Sequence, residues 1–183
     1  MKIVKTLLIA GTLLLGSAQI ASAHGGVKWE TPLIHGYGAI KDFKNAAIMP
    51  DKHMNYKVIF KITTAKTKDG INSALFHMAR MMNLLYAGGI KPSHIHMVGI
   101  IAGPATPIIL NNDAYKKKMH KFNPNLNVLR QLTEHGAKIY VCDQAAAEHG
   151  INPNTEVNKY IIPSFSALIT LPTFELKGYV LIP

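Results

Sequence analysis

One cysteine, Cys142, is the only thiol in a chain of 183 residues. A lone thiol excludes an intramolecular disulfide framework, and the lack of a resolving partner argues against a dithiol oxidoreductase. Stability must come from burial of a core, helped by contacts between subunits. Beyond Gly16 no apolar run is long enough to form a membrane helix. Internal repeats and low-complexity tracts are absent. So are paired-carboxylate, phosphate-loop and Ser-His-Asp signatures. Acidic residues are scarce, 10 against 20 lysines and arginines.

The N-terminus carries a different kind of signal. Lys2 and Lys5 form a positive region, Leu7 to Gly16 an apolar core too short to span a bilayer, and Ala21 to Ala23 ("ASA") a run of small residues. This order reads as a secretory signal over residues 1–23, cleaved before His24. No cysteine stands at the cleavage point to take a lipid anchor. The expected product is exported and periplasmic in a Gram-negative cell, with no membrane insertion after cleavage. Losing two lysines and no acids lowers the formal charge from +10 to +8. The remaining bases are dispersed, and the densest run, Lys116 to Lys121 ("KKKMHK"), reads as a solvated helix face or loop. No nucleic-acid partner is expected of an exported chain with that distribution.

Residues 24–55, rich in glycine and proline with weak periodicity, read as an irregular arm packed on a domain at 56–183, with Trp29 as a packing anchor. From Tyr56 the pattern alternates. Tyr56–Ile62, His94–Ile101, Lys138–Cys142 and Tyr179–Ile182 are β-branched or apolar runs and predict strands. Between them, Asn72–Ala87 places Leu75, Met78, Met82 and Leu85 at helical spacing, and Gly88 and Gly89 end that helix. Its methionines read as core filling. "NPNLNVLRQLTEHG" predicts a second helix with Asn123 as cap and Leu126, Leu129 and Leu132 on one face. "SFSALITLPTFELKG" predicts a last one, capped by Ser164 and kinked or split at Pro172. Strands separated by helices imply parallel pairing through crossovers. The fold class is therefore α/β, a three-layer α/β/α domain with a mostly parallel sheet.

In such a sheet ligands collect beyond the carboxyl ends of the strands. Cys142 ends its strand there, and Asp143 can open the following helix. A helix N-terminus favours the thiolate, whereas the Asp143 carboxylate next door opposes a second negative charge. Cys142 is thus either a reactive centre or a small buried hydrophobe, and position alone leaves both open. A rival site is the pair His94 and His96, two apart on a strand and so on one sheet face. Zinc would need further ligands, and no tight second cluster supplies them. His24, as a mature N-terminus, is a weaker copper candidate. No cofactor is called for.

The segments "TPLIHGYGAI", "MNYKVIFKIT", "ARMMNLLYAGGI", "NPNLNVLRQLTEHGAKIYVCDQ" and "SALITLPTFELKGYVLIP" resemble, in this order, the exported branch of the DsrE/DsrF-like family. The resemblance implies a YchN-like α/β/α fold, homo-oligomers, and a sulfur-relay role in which Cys142 takes up sulfane sulfur as a persulfide. Asp143 and Gln144 would then bind the substrate, and the partner would be a sulfur donor or acceptor protein or a small reduced sulfur compound. Two departures stand out. Asp143 occupies the position of a glycine in the Cys-Gly-Gln of exported relatives, and Ala102-Gly103 replaces the family's His-Gly. The alternative reading is a non-catalytic periplasmic protein of the same fold that binds a small ligand or metal.

Overall fold

The computed structural model describes residues 28–183, so the predicted signal segment and His24 lie outside the described residues. Among the described residues seven strands and five α-helices follow one another: β1 (Tyr56–Ile62), β2 (Thr67–Lys68), β3 (Ile71–Asn72), α1 (Ser73–Ala87), β4 (Ile95–Ile101), α2 (Asn112–Met119), α3 (Leu126–Glu134), β5 (Lys138–Cys142), α4 (Asp143–Glu148), β6 (Ile161–Ser164), α5 (Ala167–Leu176) and β7 (Val180–Ile182). Five strands form one sheet in the order β6-β5-β4-β1-β7, and every pairing in it is parallel. β2 and β3 make a separate small hairpin.

The topology follows from the handedness of crossovers. From β1 the chain steps to β4, β5 and β6 in one direction, then returns past the whole sheet to β7 on the far side of β1. A right-handed connection in the reverse direction must cross the opposite face, so α5 lies on the face away from α1 and α3. Alternation along β1 shows the two faces. Val58, Phe60 and Ile62 join the large core beneath α1 and α3, while Ile59 joins Val98 and Ile100 in a smaller one that packs on Ala167, Leu171 and Phe174 of α5. The α1 stripe of Leu75, Met78, Met82 and Leu85 is buried as expected of core filling.

The arm at 28–55 contains a single bridge, Glu30 to Ile40, and buries Leu33, Ile34 and Ile40. Asn83 of α1 holds it down. Its side-chain oxygen accepts from Leu33 N (2.9 Å) and Ile34 N (2.8 Å), and its amide donates to the carbonyls of Tyr37 and Gly38. Gly38 lies so close to α1 that a Cβ there would sit 2.2 Å from Arg80 N, and its φ of +60° also favours glycine. Trp29 is no buried anchor. It is 61% exposed, and its ring stacks instead against the cations of Lys41 and Arg80.

Several boundaries differ from expectation for identifiable reasons. His94 belongs to a short 3-10 turn, Pro92–His94, because Pro92 favours the start of a helical turn, and β4 begins one residue later. Asn123 does not cap α3. It is buried, donating to the Ile108 and Leu110 carbonyls and accepting from Asn125 N, so that side chain is spent on holding a loop. Ser164 closes β6, a strand the sequence pattern hid because Pro163 interrupts it, and the cap of α5 is Ser166, whose hydroxyl accepts from Leu168 N. Helix α5 runs through Pro172 as one element, neither split nor shortened there. Lys116, Lys117 and Lys118 lie exposed in the last turn of α2, where cations suit the helix dipole.

Candidate functional site

The carboxyl ends of β1, β4 and β5 stop together in register. Thr63 follows β1, Ala102 and Gly103 follow β4, and Cys142 ends β5. Ser166 and Ala167 start α5 just after β6. These residues surround a crevice of about 360 Å³ whose wall also includes Lys61, Gln144 and Leu168. Four other pockets among the described residues are of similar size, from about 380 Å³ under the arm to about 480 Å³, so volume does not single out a site. Chemistry does, because the cysteine opens only onto this one.

Cys142 is 6% exposed and forms the N-cap of α4. It shares its sheet face with Tyr140, since side chains alternate along β5, and that face is the one α5 covers. The start of α4 and the start of α5 therefore meet at the sulfur. Burial pushes the thiol up. Against it act hydrogen bonds from the backbone N–H groups of Ala167, Ala145 and Gln144 and from the Ser166 hydroxyl, and together they hold Cys142 below its ordinary value. The Ser166 Oγ to Cys142 Sγ distance is 4.0 Å. Free N–H groups at helix starts are natural partners for an anion, and here two such starts converge. What the sequence could not supply was α5. Its Ser166 and Ala167 lie some two dozen residues on and come to the sulfur because β6 pairs with β5, setting Ser164 opposite Cys142.

The other site residues from the sequence are placed as follows. Gln144 is exposed on the crevice wall and donates from Nε2 to the Phe165 carbonyl at 3.2 Å. Asp143 is the first residue of α4 and does not line the crevice. Ala102 and Gly103 do line it. A different histidine comes near: His149, after α4, places Nε2 3.1 Å from the Gly103 carbonyl. Ser166, Ala167 and Lys61 are the residues sequence reasoning missed.

The histidine pair does not make a rival site in the form expected. His94 lies before β4 and not on it, so the same-face argument with His96 fails. Among the described residues no group of three or more His, Cys, Asp or Glu side chains stands close enough to hold a metal ion.

Residues 56–183 match the model of the DsrE/DsrF-like family, and the chain belongs to that family, which is associated with sulfur relay. Among solved structures it is similar to a protein of unknown function, MTH1491, from Methanobacterium thermoautotrophicum. That match has a TM-score of 0.54 at 12% identity and covers 69% of this chain and 97% of the other. It supports the fold alone. Among curated proteins none matches.

Proposed function

We propose that this member of the DsrE/DsrF-like family is a periplasmic sulfur carrier that holds sulfane sulfur as a persulfide on Cys142. The observation that carries the reading is the convergence of three backbone N–H groups and the Ser166 hydroxyl on a thiol whose burial alone would keep it protonated. The Cys142 thiolate attacks the outer sulfur of a donor persulfide. A new S–S bond forms at Cys142, the donor S–S bond breaks, and the donor leaves as its thiolate with the electron pair. The product is itself an anion and is favoured by the same donors. An acceptor thiolate then takes the outer sulfur, and the Cys142 thiolate is the leaving group. No external oxidant is needed, and a second cysteine has no role in this cycle. Gln144, on the crevice wall, is our assignment for contact with the incoming donor.

Homo-oligomer formation belongs to the same proposal. Helix α5 is apolar on nearly all sides, and Leu168 (84%), Leu176 (89%), Phe165 (75%) and Val180 (62%) expose much of their surface around it. A helix of that kind is usually buried. Because Leu168 also lines the crevice, a second copy packed on α5 would narrow the way to Cys142.

The test is intact-protein mass spectrometry after exposure to polysulfide, beside Cys142→Ser. A gain of about 32 Da, reversed by reductant and absent from the variant, is the expected result. An unmodified chain under conditions that modify a small-molecule thiol would overturn the reading.

A further inference from the structure

The geometry points to a second site, a pocket for a small free oxyanion of the sulfate or phosphate type, between the end of β1 and the outer face of α1. The pocket has a volume of about 420 Å³, and its lining includes Lys61, Thr63, Ser73, His77, Arg80 and Pro183 but no aspartate or glutamate. Arg80 is held in place before any ligand arrives. Its Nε donates to the Ala39 carbonyl at 3.0 Å, and the guanidinium lies near two aromatic rings, 4.7 Å from the Phe76 centroid and 5.6 Å from that of Trp29. Its terminal nitrogens find no carboxylate among the described residues, whose two ion pairs, Lys44 with Asp42 and Arg130 with Glu134, lie elsewhere. A guanidinium fixed by its stem, with its outer N–H groups free, matches two oxygens of a tetrahedral anion.

The surroundings agree. Lys68 approaches the same Phe76 ring, 4.6 Å from its centroid. Ser73 begins α1, a helix of 15 residues with no acid in its first turn, so the positive end of its dipole is not neutralised there. Burial, and after it the charges of Lys68 and Arg80, hold His77 below its ordinary value. Lys61 and Thr63 line both this pocket and the thiol crevice, so an anion held here lies beside the route to Cys142. The site itself does not depend on thiol chemistry.

The test is a titration of the full chain, carrying Cys142→Ser to remove thiol reactions, with sodium sulfate and separately with sodium phosphate. Ionic strength is held constant with chloride, and the His77 ring resonances are followed by NMR. The charged groups acting on His77 are Lys68 on β2 and Arg80 on α1, and Lys61 on β1 lines the same pocket. The expected result is saturable binding that raises the His77 titration midpoint and tightens as pH falls. Arg80→Gln should weaken it at least tenfold. Arg80→Lys, which keeps the charge and the stacked stem but loses the fork, should weaken it several-fold while leaving the thermal midpoint near that of the parent. A response no larger than chloride gives, or unchanged affinity in both Arg80 variants, overturns the proposal. So does binding to phosphatidylglycerol vesicles without a response to free sulfate, which would point to a lipid headgroup instead.

Discussion

Ser166→Ala is the most informative single change, because the hydroxyl serves two partners whose losses are read separately. It accepts from Leu168 N at 3.2 Å as the cap of α5, and it lies 4.0 Å from Cys142 Sγ, where it accepts from the thiol and can donate to the thiolate. Loss of a serine cap costs about 1 kcal/mol, which lowers the thermal midpoint by about 2–4 °C in a domain of this size. Glycine replaces serine as a cap at a cost of only a few tenths of a kcal/mol. Ser166→Gly therefore removes the sulfur contact with little loss of stability. A hydrogen bond to a charged group is worth roughly 1.5–3 kcal/mol, and the long contact here argues for about 1 kcal/mol. That corresponds to about a fivefold fall in thiolate fraction below the titration midpoint. The more basic sulfur is intrinsically more nucleophilic by about twofold, so alkylation by iodoacetamide at neutral pH should slow about 2.5-fold. Above both midpoints the order reverses, and the variants should react about twice as fast. Crossing rate–pH curves shared by Ala and Gly, with a stability loss confined mainly to Ala, are the expected pattern. Superimposable curves for both variants and the parent would refute the role of Ser166 at the sulfur.

The Cys142 thiol is held below its ordinary value in the fold, so its ionisation adds stability that is present above the unfolded value, near 9.0, and is lost as pH falls through the folded one. The thermal midpoint of the parent should gain on Cys142→Ser as pH rises across that window, and a constant difference would contradict the arrangement of donors. Asn83→Ala leaves the Leu33 and Ile34 N–H groups and the Tyr37 and Gly38 carbonyls without their partner. It should destabilise the chain by about 2–4 kcal/mol in urea unfolding and open cleavage sites near residues 33–38 to a protease; uniform cleavage across the domain would show that the arm is not separately held. Gly99→Ala puts a Cβ 2.9 Å from Ile62 Cδ1 and 3.2 Å from Met78 Sδ in the middle of β4, an overpacking that should cost about 1–3 kcal/mol. Leu176→Lys, at an 89% exposed position, should leave unfolding of an isolated subunit within about 0.5 kcal/mol of the parent while lowering the mass measured by light scattering; an unchanged mass would remove α5 as the subunit interface.

Elements whose signals are local were legible in the chain. β1 and β5 carry β-branched apolar runs bounded by turns, and both run over the expected residues, Tyr56–Ile62 and Lys138–Cys142. Helix α1 shows its buried face in the spacing of Leu75, Met78, Met82 and Leu85, and its end in Gly88. The place of Cys142 at the end of a strand in a parallel sheet followed from the same reasoning. β6 was hidden because Pro163 breaks a run of four residues, which a sheet edge tolerates and a pattern search does not. Asn83 sits within a predicted helix and Asn123 reads as a cap, and only the distant carbonyls and N–H groups that Asn83, Asn123 and Asn125 bind explain their burial.

By itself, then, the sequence determined the alternation of strands and helices, the parallel sheet that alternation requires, and the sheet edge at which the single cysteine emerges. These depend on periodicity and turn chemistry, which act over a few neighbouring residues. Which groups surround that cysteine was decided by tertiary structure. The pairing of β6 with β5 sets Ser164 opposite Cys142, and the turn into α5 on the other face of the sheet brings Ser166 and the Ala167 N–H to a sulfur 24 and 25 positions earlier. Hydrogen bonds act over about 3 Å in space, not along the chain, and no local pattern around Cys142 records them.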